Sequence, residues 1–423
     1  MVSSTPAIAC GIDFGTSNST VGWLRPQQAT LLPLEDGKPT LPSVVFFNAE
    51  DNSVRFGRAG LQDYLDGYEG RLMRSLKSLL GSSLIDGGTE IQGHPIRFRD
   101  LLTRFIANLK ERAEAQGGRA FEQAVFGRPV HFVDDDSAAD RQAEATLGEI
   151  ARAVGFKELS FQYEPIAAAF HYETGLSREE VVLVADIGGG TSDFSIVRLS
   201  PERARAVERW SDVLANDGIH IGGTDFDKQL SLAEVMPLLG HRSQLKNGRE
   251  IPSSIYFNLA TWHTINFAYT RQVWAEQQRL QLDAIAPEML ERLLALIRDR
   301  AGHWLAHQVE QAKIALSSQE TALLSLERFS PGQQKLLTRS QFDLAALVLV
   351  EKIEATLTRL LPEAGVTAAA IDTVFFTGGS SGIPLLRRRI AALFPQARVV
   401  EGDLFGSIGA GLAVDAARRY GMG

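Results

Sequence analysis

Residues 181–197 read Val-Val-Leu-Val-Ala-Asp-Ile-Gly-Gly-Gly-Thr-Ser-Asp-Phe-Ser-Ile-Val, a glycine turn between two runs rich in β-branched residues. Each run has the length and composition of a β-strand. Three glycines permit a tight turn that brings backbone N–H groups close to a ligand. Asp186 and Asp193 flank the turn, with the hydroxyls of Thr191 and Ser192 between them. Such groups suit phosphate and magnesium, but a plain β-hairpin explains this stretch equally well.

A second copy of the pattern lies near the N-terminus, at residues 8–22. Aligning Asp13 with Asp186 matches an aspartate, an apolar residue and a glycine, and a Thr-Ser pair follows after a short offset. The two copies are too far apart for a solenoid repeat and about one domain length apart. Two similar lobes, each presenting one phosphate hairpin to a cleft, explain the repeat better than chance. The repeat therefore favours the phosphate interpretation.

The composition narrows the classes of protein that fit. The 423 residues are 44% hydrophobic and 22% charged, which is ordinary for soluble globular domains. The formal net charge of −8 disfavours a nucleic-acid binder. The single cysteine, Cys10, fits a reducing compartment. Because the N-terminus does not read as a signal peptide and the apolar run 344–350 is too short to span a bilayer, we expect a cytoplasmic protein with no membrane partner.

Strands and helices alternate along the chain, which predicts α/β lobes. The spacing of apolar residues predicts helices over 71–80, 101–116, 138–154 and 341–361, and strands over 123–132, 159–163 and 373–376. Residues 405–419 are rich in small side chains and predict a helix in close backbone contact with its neighbours. No Gly-x-x-x-x-Gly-Lys-Ser/Thr sequence occurs, which argues against a P-loop fold.

The chain resembles the DnaK-type heat shock protein 70 family in several segments. Asp-Phe-Gly-Thr-Ser-Asn-Ser at 13–19 is similar to the first phosphate motif of that family, and Ser-Leu-Lys-Ser-Leu-Leu-Gly at 75–81 to the segment with its catalytic lysine. Further similar segments lie at 140–143, 163–169, 186–194, 222–227, 310–318, 377–384 and 403–411. Each motif alone is weak, but nine motifs in family order are specific.

The resemblance implies an α/β protein with the actin-like ATPase fold, in which two similar lobes, each a mixed sheet flanked by helices, enclose a nucleotide cleft. The first lobe would cover residues 1–177, with a smaller subdomain at about 36–96. The second would cover 178–400, with a smaller helical subdomain at about 224–302. Residues 401–423 would form a closing helix that returns to the first lobe.

The resemblance also implies roles around the phosphates of ATP. Asp13, Asp186 and Asp193 would surround magnesium, largely through its water shell. The β- and γ-phosphates would be held by Thr16, Ser17, Asn18 and the backbone of Gly188, Gly189, Gly190 and Thr191. Lys77 would place its positive charge on the γ-phosphate or the attacking water. Glu164 and Thr191 would orient that water. Asp186 would also belong to the catalytic residues. Spacing alone favours a solvated helix lysine for Lys77, and only the matched segment reverses that interpretation.

A separate set of residues would bind the adenosine. Glu310, Lys313 and Ser317 stand at i, i+3 and i+7 and so share one helix face. The family uses these positions for ribose and adenine, whereas the residues alone also fit a surface Glu–Lys pair. The resemblance adds the glycine turns and the closing segment to the nucleotide contacts, namely Gly222, Gly223, Gly378, Gly379, Ser380 and Asp403.

The chain departs from the family pattern at several positions. Gly382 stands where the family usually has an arginine that stacks on adenine, Ile314 stands where some members have another, and Thr224 replaces a usual glutamate. The base choice therefore stays open. We expect no peptide-binding domain, since the 423 residues leave no room for one after the matched segments, and the chain therefore looks like the short YegD-type bacterial group. Pro129 and Arg141 match the family's relay to that domain, although a strand-end proline explains Pro129 equally well.

We expect an ATP- and magnesium-binding protein that hydrolyses ATP slowly and has a chaperone-like role with an unknown protein partner or client. One alternative is a nucleotide-gated interaction module with negligible turnover, whose partner surface would lie on the helical region 228–302. Another is a small-molecule kinase of the same superfold, for which no substrate-side aspartate is identified. A filament former is also conceivable.

Overall fold

The structure is a computed structural model and describes residues 8–28, 30–82, 84–91, 93–133 and 136–421. Its strands are β1 (Ala9–Phe14), β2 (Asn18–Gly22), β3 (Thr40–Pro42), β4 (Val44–Asn48), β5 (Val54–Phe56), β6 (Gly70–Arg74), β7 (Gly88–Ile91), β8 (His94–Arg97), β9 (Gln123–Arg128), β10 (Glu158–Tyr163), β11 (Glu180–Ile187), β12 (Ser192–Leu199), β13 (Val213–Ile219), β14 (Thr321–Ser325), β15 (Gln334–Thr338), β16 (Thr373–Thr377) and β17 (Arg398–Glu401).

The α-helices are α1 (Gly57–Asp66), α2 (Phe98–Gly117), α3 (Ser137–Ala153), α4 (Glu164–Glu173), α5 (Gly223–Leu230), α6 (Ser254–Leu259), α7 (Arg271–Asp283), α8 (Pro287–Arg298), α9 (Gly302–Ser318), α10 (Arg339–Glu363), α11 (Pro384–Leu393) and α12 (Ser407–Tyr420). The chain forms two compact units. The first contains the residues up to 218, 356–381 and those from 391 onward, and the second contains 219–355 and 382–390.

The first unit contains two five-stranded sheets with the same topology. Their strand orders are β10-β9-β1-β2-β3 and β13-β12-β11-β16-β17. In each sheet a central strand, β1 or β11, pairs antiparallel with the next strand and parallel with a later one. That later strand, β9 or β16, pairs parallel with the last strand of the sheet. The internal repeat predicted from the two hairpin sequences is therefore a repeat of whole sheets.

Helices α4 and α12 share a buried core with both sheets. This core includes Ala9 from β1, Val184 from β11, the apolar residues of α4 and Leu412 from α12. A β carbon built at Gly411 would lie 1.8 Å from the carbonyl oxygen of Ala167, so the backbones of α12 and α4 touch. The close backbone contact predicted for residues 405–419 is thus confirmed, and it depends on small side chains.

A three-stranded sheet, β5-β4-β6, and the hairpin β7–β8 lie in the part of the first unit that follows β3. The helix predicted over 71–80 is wrong. Leu72 lies opposite Phe46 in the β4–β6 ladder, and only Leu76–Leu79 form a 3₁₀ turn. Ser75 has a φ of +56°, which separates the strand from this turn. The apolar spacing suited a helix, but the buried strand β4 offered a pairing partner that overrode it.

The second unit is mainly helical, and the hairpin β14–β15 lies within it. Aromatic contacts hold its core, such as that between Phe226 of α5 and Phe342 of α10, whose ring centroids are 6.4 Å apart. A π-helical turn, Ser231–Val235, follows α5 directly. Among the described helices, none combines the length and the apolar character needed to cross a membrane.

Candidate phosphate site

The two hairpins that carry the glycine and hydroxyl motifs lie at equivalent positions in the two sheets. In the first, Asp13 of β1 lies opposite Thr20 of β2. In the second, Asp186 of β11 lies opposite Asp193 of β12. Each hairpin therefore places an aspartate near the end of its central strand, beside its turn. Only the second places another carboxylate directly across the ladder.

The tips of the two hairpins are in contact within the first unit. A β carbon built at Gly189 would lie 2.1 Å from the Oγ atom of Ser17. Gly378, which follows β16 with a φ of +80°, is equally close to the second hairpin, since a β carbon there would lie 2.4 Å from Oδ1 of Asp186. Only glycine permits these approaches without a shift of neighbouring atoms.

A serine that the sequence motifs did not indicate supports the first tip. Ser43 lies between β3 and β4 and is 1% exposed. Its hydroxyl donates to the carbonyl of Gly15 at 2.6 Å and lies 3.0 Å from the hydroxyl of Ser19. Its backbone N–H donates to the carbonyl of Ser17 at 2.9 Å. No motif surrounds Ser43 in the sequence, and only the folded chain brings it to the tip.

Lys77 and Glu164 form a partly buried ion pair beside the hairpins. Nζ of Lys77 lies 2.5 Å from Oε1 of Glu164, and each side chain is 12% exposed. Lys77 belongs to the 3₁₀ turn after β6, and Glu164 is the first residue of α4. Gly127 lies against Glu164, since a β carbon built there would be 3.2 Å from its Cγ atom. The solvated-lysine interpretation is therefore wrong.

Burial and like charges disturb the ionisation of this cluster. Burial and Glu164 raise the pKa of Asp13 to about 7, although Lys77 lowers it. Burial raises the pKa of Asp186 well above its usual range, and Asp193, Glu164 and Asp13 raise it further. The pKa of Lys77 is raised although burial lowers it, because Glu164, Asp13 and Asp193 favour its charged form. The surplus of buried negative charge favours a cation at this point.

Magnesium fits this donor set through its water shell. Among the described residues, no three acidic, histidine or cysteine side chains are close enough together to hold a metal ion directly. Magnesium usually keeps several of its waters, so carboxylates set around it suit a hydrated ion. Thr191 donates its hydroxyl to Oδ2 of Asp193 at 2.9 Å, and the N–H of Gly188 donates to the carbonyl of Thr191 at 2.9 Å. These two bonds order the second tip.

Arg128, at the end of β9, is a further residue that the motifs did not indicate. Its guanidinium lies 2.8 Å from Oδ2 of Asp140 and also pairs with Glu144 on α3. It stacks over the rings of Phe132 and Tyr163, each with a centroid at 5.3 Å. Tyr163 directly precedes Glu164 in the chain, so Arg128 ties α3 and the end of β9 to the start of α4. The sequence does not indicate its role, because no local motif links Arg128 to Asp140, Glu144 or Tyr163.

The segment expected near the adenosine in the first unit follows β16. Gly379 begins the 3₁₀ turn Gly379–Gly382, and Ser380 within it is buried. The ring of Phe405 covers Gly379, since a β carbon there would lie 2.5 Å from the ring. Asp403 is exposed and accepts a hydrogen bond from the N–H of Phe405 at 3.1 Å. Phe405 is a contact that the sequence motifs did not indicate.

The remaining adenosine candidates lie in the second unit. Lys313 on α9 is 7% exposed, and its Nζ lies 2.9 Å from Asp227 and 3.0 Å from the carbonyl of Gly223. Ser317 donates to the carbonyl of Lys313 at 3.3 Å. Oε2 of Glu310 lies 3.4 Å from Nδ1 of His307, from which it accepts when that nitrogen carries the proton. Lys313 is thus buried in an ion pair with Asp227, a partner that sequence reasoning had not assigned.

Gly222 and Ile314 lie on or beside the helices of the second unit. Gly222 is the N-cap of α5, and its N–H is bonded to Oδ2 of Asp225 at 3.0 Å. Ile314, one of the departures from the family pattern, is 53% exposed on α9. The roles assigned to these residues remain predictions.

Comparison with known proteins identifies the family. The family model described as Hsp70 protein matches residues 9–236 and 295–418. The "Chaperone protein HscA homolog" of Shewanella oneidensis is 29% identical over 432 residues, covering 96% of this chain and 58% of the relative. The "Chaperone protein HscA" of Pectobacterium carotovorum subsp. carotovorum is 28% identical over 433 residues, covering 97% of this chain and 58% of the relative.

The chain thus spans somewhat more than half the length of the curated relatives that it matches. The family match extends over most of the chain and includes both hairpins, the segment of Lys77 and the residues of α9. The repeated sheets agree with the fold that the resemblance implied. The chain therefore belongs to the Hsp70 family and has the actin-like ATPase fold.

Proposed function

We propose that this protein binds ATP together with magnesium and hydrolyses the γ-phosphate slowly. The observation that carries the proposal is the partly buried Lys77–Glu164 pair, which lies among the carboxyl groups of Asp13, Asp186 and Asp193. Structural ion pairs seldom need three further carboxyl groups nearby. A phosphate site with a cation does need them, because the carboxyl groups hold the cation that balances the charge of the phosphates.

Phosphoryl transfer depends mainly on positioning and on the neutralisation of charge, and the residues present supply both. The backbone of Gly188–Thr191 together with Thr16, Ser17 and Asn18 would bind the β- and γ-phosphates. Lys77 would place its charge on the γ-phosphate, and Glu164 and Thr191 would orient the attacking water. Magnesium, when bound, would neutralise charge on the phosphates, and Asp13, Asp186 and Asp193 would hold its water shell.

The adenosine contacts are proposed from the family resemblance. They comprise Glu310, Lys313, Ser317, Gly222, Gly223, Gly378, Gly379, Ser380 and Asp403. The lobe boundaries 1–177 and 178–400 and the closing segment 401–423 are proposed on the same ground. Because the chain has Gly382 and Ile314 at positions where the family often has arginine, we expect adenine to be held less tightly than is usual for the family.

A chaperone-like role is proposed from the relatives, whose names describe chaperones. The partner would be a protein client or a co-chaperone, and the nucleotide state would control its binding. A cytoplasmic location is proposed because the one cysteine, Cys10, is buried and the chain needs no oxidising compartment.

One observation favours a second candidate function, a nucleotide-gated interaction module with negligible turnover. Nζ of Lys77 is already paired with Glu164 at 2.5 Å. To act on the γ-phosphate, the lysine would have to share or leave this carboxylate. If the pair persists with nucleotide bound, ATP would stabilise one state of the protein without being hydrolysed at a useful rate.

Calorimetric titration with ATP, ADP and GTP, each in magnesium, tests the proposal. We expect saturable binding of ATP and ADP, weaker binding of GTP, and a clear loss of ATP affinity when magnesium is chelated. Failure of both adenine nucleotides to bind would overturn the proposed function. Steady ATP hydrolysis by the same preparation would exclude the interaction module, whereas tight binding without hydrolysis would favour it.

The variant Lys77→Ala tests the catalytic assignment. We expect ATP hydrolysis to fall about a hundredfold or more, while ATP still binds, because the lysine acts on charge that develops during transfer. The matched control is Lys110→Ala, which removes another partly buried lysine paired with a glutamate at 2.5 Å, Glu114, on α2. Lys110→Ala should hydrolyse ATP like the parent. Equal hydrolysis by Lys77→Ala and the parent would remove Lys77 from the mechanism.

A further inference from the structure

A cavity of about 520 Å³ opens in the second unit, apart from the residues assigned to nucleotide. Its lining includes Lys228 of α5, Leu232 of the π-helical turn, His241, Arg242, Phe257 of α6 and Ala345 of α10. This volume falls within the range of cavities that bind small molecules. Four features of the lining occur together and are unusual for a surface that has only a structural role.

The first feature is the π-helical turn Ser231–Val235 that forms one wall. The N–H of Met236 donates to the carbonyl of Ser231, five residues earlier. Pro237 follows and has no N–H, so the carbonyls of the preceding turn cannot regain the ordinary helical pattern. Turns of this kind occur mostly as single widened turns, frequently at functional sites.

The second feature is the backbone conformation of Arg242. Its φ of +64° lies in the left-handed region, which disfavours a residue with a long side chain. A glycine would adopt this conformation without strain, and the nearby Gly240 does so with a φ of +102°. An arginine held in such a conformation at a cavity points to a use for its side chain.

The third feature is unpaired positive charge. Neither Lys228 nor Arg242 has an ion-pair partner among the described residues. Glu250 also lines the cavity, but it balances only one of the two cations. Burial, and to a smaller extent the charge of Arg242, lower the pKa of His241, so this imidazole is neutral near pH 7. The lining therefore keeps a net positive charge, which favours an anion.

The fourth feature is a pair of rings, one with an exposed apolar face and one with a buried nitrogen that makes no hydrogen bond within the described part of the chain. Phe257 is 45% exposed and meets the ring of His241 edge to face, with centroids 6.1 Å apart. His241 is 6% exposed, and its buried Nδ1 atom has no hydrogen-bond partner among the described residues. Unpaired buried polar atoms are rare in proteins and usually have a reason. An exposed phenyl ring offers a flat apolar face to a ligand.

We propose that this cavity binds a small organic anion that carries a flat apolar ring. Lys228 and Arg242 would pair with the anionic group, and Phe257 would contact the ring. A carboxylate and a phosphate monoester share this chemistry, and the choice between them is left to experiment. The site is separate from the nucleotide residues, and the proposal does not depend on ATP binding.

The test is a calorimetric titration of the full chain, with and without magnesium-ATP, using phenyl phosphate, benzoate and inorganic phosphate as probes. We expect at least one aromatic anion to bind saturably and about tenfold more tightly than inorganic phosphate, because only the aromatic probes contact Phe257. Whichever aromatic probe binds better identifies the anionic group. Absence of saturation by both aromatic anions up to about 10 mM would overturn the proposal.

The variant Arg242→Gly separates binding from folding. It relieves the left-handed backbone and removes one cation, so the midpoint temperature of unfolding should rise or stay level. Binding of the aromatic anion should weaken about tenfold. The matched control is Arg300→Gly, because Arg300 is an exposed arginine of the same unit with a φ of +48°. It should raise the midpoint similarly and leave anion binding unchanged.

Two outcomes with these variants would overturn the proposal. One is unchanged anion binding by Arg242→Gly. The other is an equal loss of binding by Arg242→Gly and Arg300→Gly, which would indicate a general effect of charge. Competition between the aromatic anion and magnesium-ATP would also overturn it, because the anion would then occupy the nucleotide site.

Discussion

The two hairpins of the first unit have the same topology but carry different chemistry. In the β1–β2 hairpin, the tip has side chains with hydroxyl groups, Thr16 and Ser17, and Ser43 supports it from outside. In the β11–β12 hairpin, the tip is three glycines, and two aspartates, Asp186 and Asp193, face each other across the ladder. The repeat therefore duplicated a backbone shape, while the side chains diverged.

This difference indicates that the two hairpins have different roles. The glycine tip has no side chains to cover its backbone, but it needs support from its surroundings because glycine contributes no side-chain contacts. The facing aspartates make the second hairpin the more strongly charged one, and burial together with the charge of Asp193 raises the pKa of Asp186 well above its usual range. We infer that the second hairpin is strained electrostatically without a cation, and that the first is mainly held by hydrogen bonds.

The largest expected effect comes from crowding the second hairpin through Gly378→Ala. Its φ of +80° and the closeness of Asp186 Oδ1, 2.4 Å from a built β carbon, leave no room for a methyl group. The free energy of unfolding should fall by about 2–4 kcal/mol. The control Gly190→Ala has open space around a built β carbon and should change it by less than about 0.5 kcal/mol. Denaturant unfolding measures both, and similar values would refute the close approach.

Next in size is the effect of removing charge, through Asp186→Asn and Asp13→Asn. A carboxyl group whose pKa is raised in the folded state stabilises the protein below its unfolded pKa of about 4 and loses that contribution as pH rises through the folded pKa. For Asp13 the loss extends to about pH 7, and the raised pKa of Asp186 causes a loss in the same direction. Both variants should therefore unfold at a higher temperature than the nucleotide-free parent at pH 8.

Thermal unfolding between pH 5 and pH 8, without nucleotide or magnesium, measures this effect. The advantage of each variant over the parent should grow with pH. Both variants should also gain less stability than the parent from magnesium-ATP. A difference that does not change with pH would show that these carboxyl groups are not strained.

A smaller effect is expected in the first hairpin from Ser43→Ala. The variant loses two buried hydrogen-bonding contacts, with the carbonyl of Gly15 and the hydroxyl of Ser19. The free energy of unfolding should fall by about 1–2 kcal/mol. The control is Ser318→Ala, since Ser318 is exposed and bonds only locally to the carbonyl of Ala315. Equal, negligible changes in chemical denaturation would mean that the first tip does not need Ser43.

The smallest effect on stability is expected from Thr191→Ala in the second hairpin. The lost hydrogen bond to Asp193 is exposed, so the free energy of unfolding should change by less than about 1 kcal/mol. If Thr191 orients the attacking water, ATP hydrolysis should nevertheless fall about tenfold or more. Thr191→Ser keeps the hydroxyl and should retain most of the activity. Loss of stability without loss of hydrolysis would reverse the assignment.

Local sequence was sufficient to predict both hairpins, because glycine turns and β-branched runs act over a few residues. It was also sufficient for α2, α3 and α10, where apolar residues recur with helical spacing over several turns. The helix predicted over 71–80 failed because β4 supplies a buried partner strand from a distant part of the chain. The contributions of Ser43 and Arg128 were missed for the same reason, since their partners become neighbours only on folding.

The sequence by itself determined the repeat of two aspartate-bearing hairpins and the family of the protein, because these depend on residue order. Tertiary structure alone decided that Lys77 pairs with Glu164 in a partly buried position, that Gly189 touches Ser17 and that Lys313 pairs with Asp227. The physical reason is that charge, burial and close backbone approach depend on distances between segments far apart in the chain. Those distances exist only when the sheets and helices have packed.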